Sequence, residues 1–194
     1  MSFNRRRRRI YLAGPEVFLP QARAVGREKC RLTAAAGFEG VFPHDPELNA
    51  PGLDKHERAG RIFAANTQLL RSCDALIANL TPFRGVSGDA GTVFEVGFMC
   101  ALGRPAWAYT NAAASYRLRA TAFRAGRSLL SDCDQPECAV EDLDLSDNLM
   151  IEMAVLASGG RLIRQQNAAV PDMADLTAFK QCLELVTRAL TAWV

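Results

Sequence analysis

Short runs that are apolar at every position alternate along this chain with longer stretches whose apolar residues recur every three or four positions. The first pattern predicts buried strands, the second amphipathic helices. Ile10 to Ala13 reads as a strand closed by Gly14-Pro15, and Gln21 to Ala36 as a helix ended by Gly37. Phe38 to Phe42 follows as strand two, leading into the loop Pro43-His44-Asp45-Pro46, and a helix runs from about Lys55 to Ser72. Ala75 to Leu80 is apolar on both faces, as central parallel strands are. Ala106 to Thr110 and Arg161 to Arg164 supply two more strands, and Asp147 to Ala157 another helix. The polar stretch from Asn111 to Asp144 reads as a helical excursion with a loop. From Pro171 to Trp193, the residues Met173, Leu176, Phe179, Leu183, Val186 and Leu190 mark a final amphipathic helix. Five strands alternating with helices predict an α/β fold, a single doubly wound five-stranded parallel sheet (flavodoxin-like or Rossmann-like) with helices on both faces. Ligands of such sheets bind beyond the carboxyl ends of the strands, where the strand order switches.

One further run breaks the pattern in a way that points to chemistry. Thr92 to Leu102 is apolar on nearly all sides and carries a single charge, Glu95, before Gly103, Arg104 and Pro105 stop it. An all-apolar helix is buried, so Glu95 is expected to be buried about one turn from its start. A lone buried carboxylate is costly unless it is paired or hydrogen-bonded. Asp89 lies six residues earlier, in the glycine-rich loop 85–91. Two carboxylates at the mouth of a buried helix suit sugar chemistry, in which one attacks while polar neighbours hold the substrate. A structural account of the same residues stands beside this one. Thr92 followed by Glu95 fits a capping box, in which the Glu bonds back to the N-cap amide.

Composition narrows the function class. The chain has 194 residues, 49% of them hydrophobic, enough for one domain with a sizeable core. Its net charge of +2 gives no global field for a nucleic-acid polymer or a membrane surface. Residues 1–9, with the run Arg5 to Arg9, read as a solvated basic tail ahead of a domain spanning 10–194. No apolar run reaches the ~18 residues of a membrane span. The six cysteines are scattered without a Cys-x-x-Cys, and the histidines are only His44 and His56, so no metal site is expected. Free thiols in a reducing cytoplasm are the expected setting.

The candidate residues fall at the carboxyl ends of the predicted strands. Gly14, Pro15 and Phe18 follow strand one, and Asp45 follows strand two. Pro82, Phe83, Arg84 and Gly85, then Asp89, Gly91 and Glu95, follow the Ala75 to Leu80 strand. Several segments of this rim resemble the nucleoside 2-deoxyribosyltransferase family. They are Tyr11-Leu12-Ala13-Gly14-Pro15, Asp74 through Asn79-Leu80, Arg84-Gly85, Asp89-Ala90-Gly91-Thr92 through Glu95-Val96-Gly97, and Asp147-Asn148-Leu149-Met150.

The resemblance implies that Glu95 is the nucleophile that attacks C1′ of a 2′-deoxynucleoside. It implies that Asp89 holds the 5′ side of the sugar, joined by Asn148 from a neighbouring subunit with Met150 beside it. Tyr11 and Phe18 would shape the sugar and base pocket, with Gly14, Pro15, Asp74, Asn79, Arg84, Gly85 and Gly91 also on the substrate side. Asn66 stands where some relatives place an acid that protonates the departing base, so Asp45 or Glu47 could serve there instead. The implied reaction is a base exchange through a covalent deoxyribosyl-enzyme with retained β configuration, on nucleosides and free nucleobases and without a cofactor. Two alternatives stay open. One is an N-glycosidase of deoxynucleoside 5′-monophosphates, which the charge of Asp89 opposes. The other is a non-catalytic nucleotide-binding module on the same fold. The helix beginning at Asn148 is apolar on more than one face, which suits either packing on its own sheet or an interface; the resemblance implies the interface, a homo-oligomer built on two-fold dimers with shared sites.

Overall fold

The computed structural model describes residues 6–43, 52, 54–126, 138–166 and 171–191. Its elements run β1 (Arg9–Ala13), a 3-10 turn (Pro15–Phe18), α1 (Ala22–Ala35), β2 (Glu39–Val41), α2 (Lys55–Ser72) and β3 (Ala75–Asn79). They continue with α3 (Ala90–Ala101), β4 (Ala106–Thr110), α4 (Tyr116–Ala125), α5 (Leu149–Ala157), β5 (Leu162–Arg164) and α6 (Thr177–Thr191). The five strands form one parallel sheet in the order β2-β1-β3-β4-β5. The chain leaves β1 toward β2 on one side and returns to β3 on the other, so the order switches between β1 and β3. Ligand crevices open at that point in such sheets.

Alternation along the strands divides the core into two layers. Tyr11 and Ala13 of β1, with Leu76, Ala78 and Ala108, face α2, α3 and α5 through Leu70, Val96, Met99 and Val155. Ile10 and Leu12, with Ile77, Trp107 and Tyr109, face the other way onto Phe38 and the α6 residues Phe179, Cys182 and Val186. Among the described residues no helix is long and apolar enough to cross a membrane. Asp45 and Glu47 lie outside the described residues, as do Arg5, Cys133 and Trp193.

Three local expectations change. The arginine run is not all tail: Arg9 opens β1 and pairs with Glu39 at 2.9 Å, and Arg8 donates to the Leu190 carbonyl at 2.7 Å. The last helix starts at Thr177 rather than Pro171. Upstream, Asp172 and Asp175 turn their carboxylates onto the amides of Ala174 and Thr177, the local competition that keeps aspartates out of helix interiors. Finally, α3 is apolar all round yet not buried all round. Phe94 is 49% exposed, and Leu102, the residue that caps the helix, is also exposed.

Candidate active site

Glu95 and Tyr11 meet at the switch between β1 and β3. Tyr11 is the middle residue of β1 and points to the face that α3 covers, so its hydroxyl donates to Glu95 Oε1 at 2.7 Å. Tyr11 is wholly buried and Glu95 partly so. Burial pushes the Glu95 carboxyl up to about 7, and the nearby Asp89 charge adds to the rise, while the Tyr11 hydrogen bond pulls against both. Burial and the facing carboxylate hold the Tyr11 hydroxyl far above its ordinary range, so it stays a donor.

The capping-box account of Glu95 does not hold. The N-cap of α3 is Asp89, whose Oδ2 accepts from the Thr92 amide at 3.0 Å and from Thr92 Oγ1 at 3.2 Å. Thr92 is therefore the third residue of the helix and Glu95 the sixth, with its carboxyl on Tyr11. A reciprocal capping box forms instead at the start of α2, between Asp54 and Glu57. One helix thus presents Asp89 at its mouth and Glu95 about a turn and a half inside. That spacing brings the two carboxylates close enough for one charge to act on the other.

The rim adds an aromatic and cationic cluster. Phe18, at the end of the turn after β1, stacks on Phe83 from the loop after β3, with centroids 5.4 Å apart and planes at 11°. The Arg84 guanidinium lies over both rings, 4.6 Å from Phe83 and 5.0 Å from Phe18. Arg84 holds a left-handed backbone with φ 55°, a strained state for a residue with a side chain and one that collects at functional sites. Phe83 was placed on the rim by sequence; its stacking on Phe18 was not.

Gly14 is required by what lies behind it. A Cβ there would fall 1.8 Å from Glu16 Oε2 and 2.9 Å from Asn79 Cβ. Glu16 is fully buried, 2.9 Å from the equally buried Lys29 Nζ, and it also accepts from the Tyr109 hydroxyl at 2.8 Å. This charged knot anchors the turn that carries Phe18, and the sequence reading missed it. The signal was present: Ala22, Val25, Gly26, Lys29 and Thr33 form the buried stripe of α1, with a lysine where an apolar residue is expected.

The remaining candidates separate. Pro15 starts the buried turn after β1, and Asn79, fully buried at the end of β3, accepts from the Thr81 amide at 3.0 Å. Gly85 is exposed in the loop before Asp89, and Gly91 is exposed at the second position of α3. Asn66 is partly buried on α2, one turn after Phe63, whose ring lies 6.0 Å from that of Phe94 on α3. Asp74 is not with them. It precedes β3 at the amino end of the sheet, where it accepts from the Arg9 amide at 2.8 Å and pairs with Arg6 at 2.9 Å. Asn148 is the N-cap of α5, its Oδ1 accepting from the Met150 amide at 3.0 Å and its amide donating to Glu141 at 2.6 Å. Met150 is 71% exposed. Phe63, Phe94, Met150, Met153 and Leu156 are all exposed on the three helices that cover this one side of the sheet.

A family model described as nucleoside 2-deoxyribosyltransferase matches residues 10–150. An uncharacterised protein of Schizosaccharomyces pombe is 31% identical over 170 residues, which span 78% of this chain and 78% of its own length. Among solved structures, a 2-desoxiribosyltransferase from Leishmania mexicana matches with a TM-score of 0.59 at 26% identity, covering 91% of this chain and 97% of its own. A conserved protein from Enterococcus faecalis V583 shares the fold, with a TM-score of 0.54 at 19% identity and coverage of 94% and 99%.

Proposed function

The chain belongs to the nucleoside 2-deoxyribosyltransferase family, and from that premise we propose that it exchanges the base of 2′-deoxynucleosides through a covalent intermediate on Glu95. The observation that carries the reading is the Tyr11–Glu95 hydrogen bond of 2.7 Å at the strand switch. A carboxylate nucleophile must be ionised, oriented and screened from competing water. Tyr11 engages Oε1, favours the ionised form and leaves Oε2 to attack C1′. The C1′–N bond breaks as the base departs with a proton, and an ester joins C1′ to Glu95. A second base then attacks C1′ from the face the first one left, and the β configuration is retained.

Asp89 takes the 5′ hydroxyl in this reading. Its bonds to Thr92 run through Oδ2, which fixes the carboxylate at the helix mouth. The same charge disfavours a 5′-phosphate dianion, which supports free nucleosides over monophosphates. Phe18, Phe83 and Arg84 form the base side of the crevice. Gly85 on the loop and Gly91 at the start of α3 let the backbone approach the sugar closely, and Asp45, which follows β2 in the sequence, is kept as a candidate for the base end, as is Asn66. The exposed apolar flank of α2, α3 and α5 supports a homodimer as the working unit, with Asn148 and Met150 completing the partner's pocket.

The test is incubation with 2′-deoxyinosine and adenine, followed by chromatography. The reading requires 2′-deoxyadenosine and hypoxanthine. Consumption of 2′-deoxyinosine at the same rate without adenine would mean hydrolysis, and action on 5′-monophosphates alone would favour the N-glycosidase alternative.

A further inference from the structure

The glycine-rich loop that carries Asp89 is fastened from outside by a buried carboxylate and a half-buried guanidinium. Segments 86–88 and 146–148, far apart in sequence, lie side by side. Asp147 is 1% exposed, and its Oδ1 accepts from Ser87 Oγ at 2.5 Å and from the Asn148 amide at 2.8 Å. Its Oδ2 accepts from the Gly88 amide at 2.8 Å. Arg119 of α4 spans the same seam. Its Nε donates to the Val86 carbonyl at 2.9 Å and its Nη2 to the Ser146 carbonyl at 2.7 Å, with Nη1 on Ala114 at 2.6 Å. Burial pulls the Arg119 guanidinium down while the Asp147 charge holds it up.

A loop with glycines at 85 and 88 has many conformations to lose, and an unrestrained one would leave the next residue, Asp89, poorly placed. The seam removes that freedom. A Cβ at Gly88 would lie 3.0 Å from the Leu80 side chain and 3.6 Å from Asp147 Oδ2, so the loop is pressed against its anchor. Fixing a carboxylate to a fraction of an ångström takes neighbours that are themselves locked.

We propose that Asp147 and Arg119 are positioning residues for Asp89, setting the 85–89 loop so that the Asp89 carboxylate meets the 5′ hydroxyl of the sugar. The inference rests on the deoxynucleoside reading above and adds two residues that do not touch substrate. The seam also meets the start of α5, so one carboxylate sets both the Asp89 loop and the amide of Asn148.

The experiment is a cycle of substrate against variant on the full chain. It compares kcat/KM for 2′-deoxyinosine and 2′,5′-dideoxyinosine, with adenine as acceptor, in the wild type, Asp147→Asn and Ser87→Ala. The wild type should prefer the 5′-hydroxyl substrate by about tenfold or more, the worth of a hydrogen bond to a charged group. In Asp147→Asn the preference should collapse to about twofold, because only the hydroxylated substrate loses its contact. Ser87→Ala removes a single bond and should leave a preference of about threefold, which decides the matter if Asp147→Asn does not fold. Equal losses on both substrates would make the seam merely structural and overturn the inference. So would a wild type that does not distinguish the two substrates. A wild type inert toward both overturns the activity reading itself, and this inference with it.

Discussion

The Tyr11 hydroxyl reaches Glu95 across 84 residues of sequence, and the 2.7 Å bond between them joins the middle residue of a strand to the sixth residue of a helix. The bond pulls the Glu95 pKa down against burial. Tyr11→Phe should therefore raise that pKa and move the acidic limb of the rate profile to higher pH. It should also lower kcat/KM about 10- to 100-fold, the effect expected when one charge-assisted hydrogen bond is lost from a positioned nucleophile. A pH–rate profile of the variant checks both parts, and an unmoved acidic limb would separate Tyr11 from the chemistry.

Glu95 should also make the protein less stable at neutral pH than it could be. Folding raises its pKa from the ordinary carboxylate value to about 7, so the native state binds the extra proton. That contribution is full below the unfolded value and is lost as pH rises through about 7. Glu95→Gln should match the wild type at pH 4.5 and exceed it by about 1–2 kcal/mol at pH 8, discounted for partial exposure. Thermal unfolding of the pair at both pH values measures it. A variant no more stable at pH 8 would contradict the raised pKa.

Asp89→Ser keeps an N-cap oxygen for Thr92 and removes the charge. The Asp89 charge raises the Glu95 pKa, so the acidic limb should move to lower pH in the variant. Use of free deoxynucleosides should weaken about tenfold as the 5′ contact is lost, while tolerance of a 5′-monophosphate improves. Competition between 2′-deoxyinosine and its monophosphate reads out the change.

Much of this site was legible in the chain and some was not. Hydrophobic period gave the strands and helices because buried parallel strands are apolar on both faces. Glu95 stood out as one charge in an apolar helix. Its surroundings were not legible: Thr92-x-x-Glu95 is a good capping pattern, and only the structure shows Asp89 taking that place. Asp74 was carried into the site by its motif, although a strand's first and last residues lie at opposite ends of a sheet. The Lys29–Glu16 pair beneath the rim went unread, although a lysine on the buried stripe of α1 was the signal for it. Burial of α3 was overstated because an all-apolar helix also suits a face shared with another molecule.

The proposed dimer face carries the next expectation. Asn148→Ser keeps a capping oxygen for α5, and Glu95→Ala removes the proposed nucleophile. Each alone should be nearly inactive, and their mixture should recover partial activity because some mixed dimers contain one intact composite site. Met153→Asp, on the exposed apolar flank, should shift the protein toward monomer in sedimentation and lower activity together with it. Full activity in a verified monomer would rule out the shared site.

The covalent step is tested most directly by trapping it. A 2-fluoroarabinosyl purine nucleoside resists formation of positive charge at C1′, so the ester should persist long enough to isolate. Intact-mass and peptide mass spectrometry after incubation should place the fluorosugar on Glu95, with release on addition of a free base and none in Glu95→Ala. A sugar on another residue, or normal base exchange by Glu95→Ala, would contradict the account.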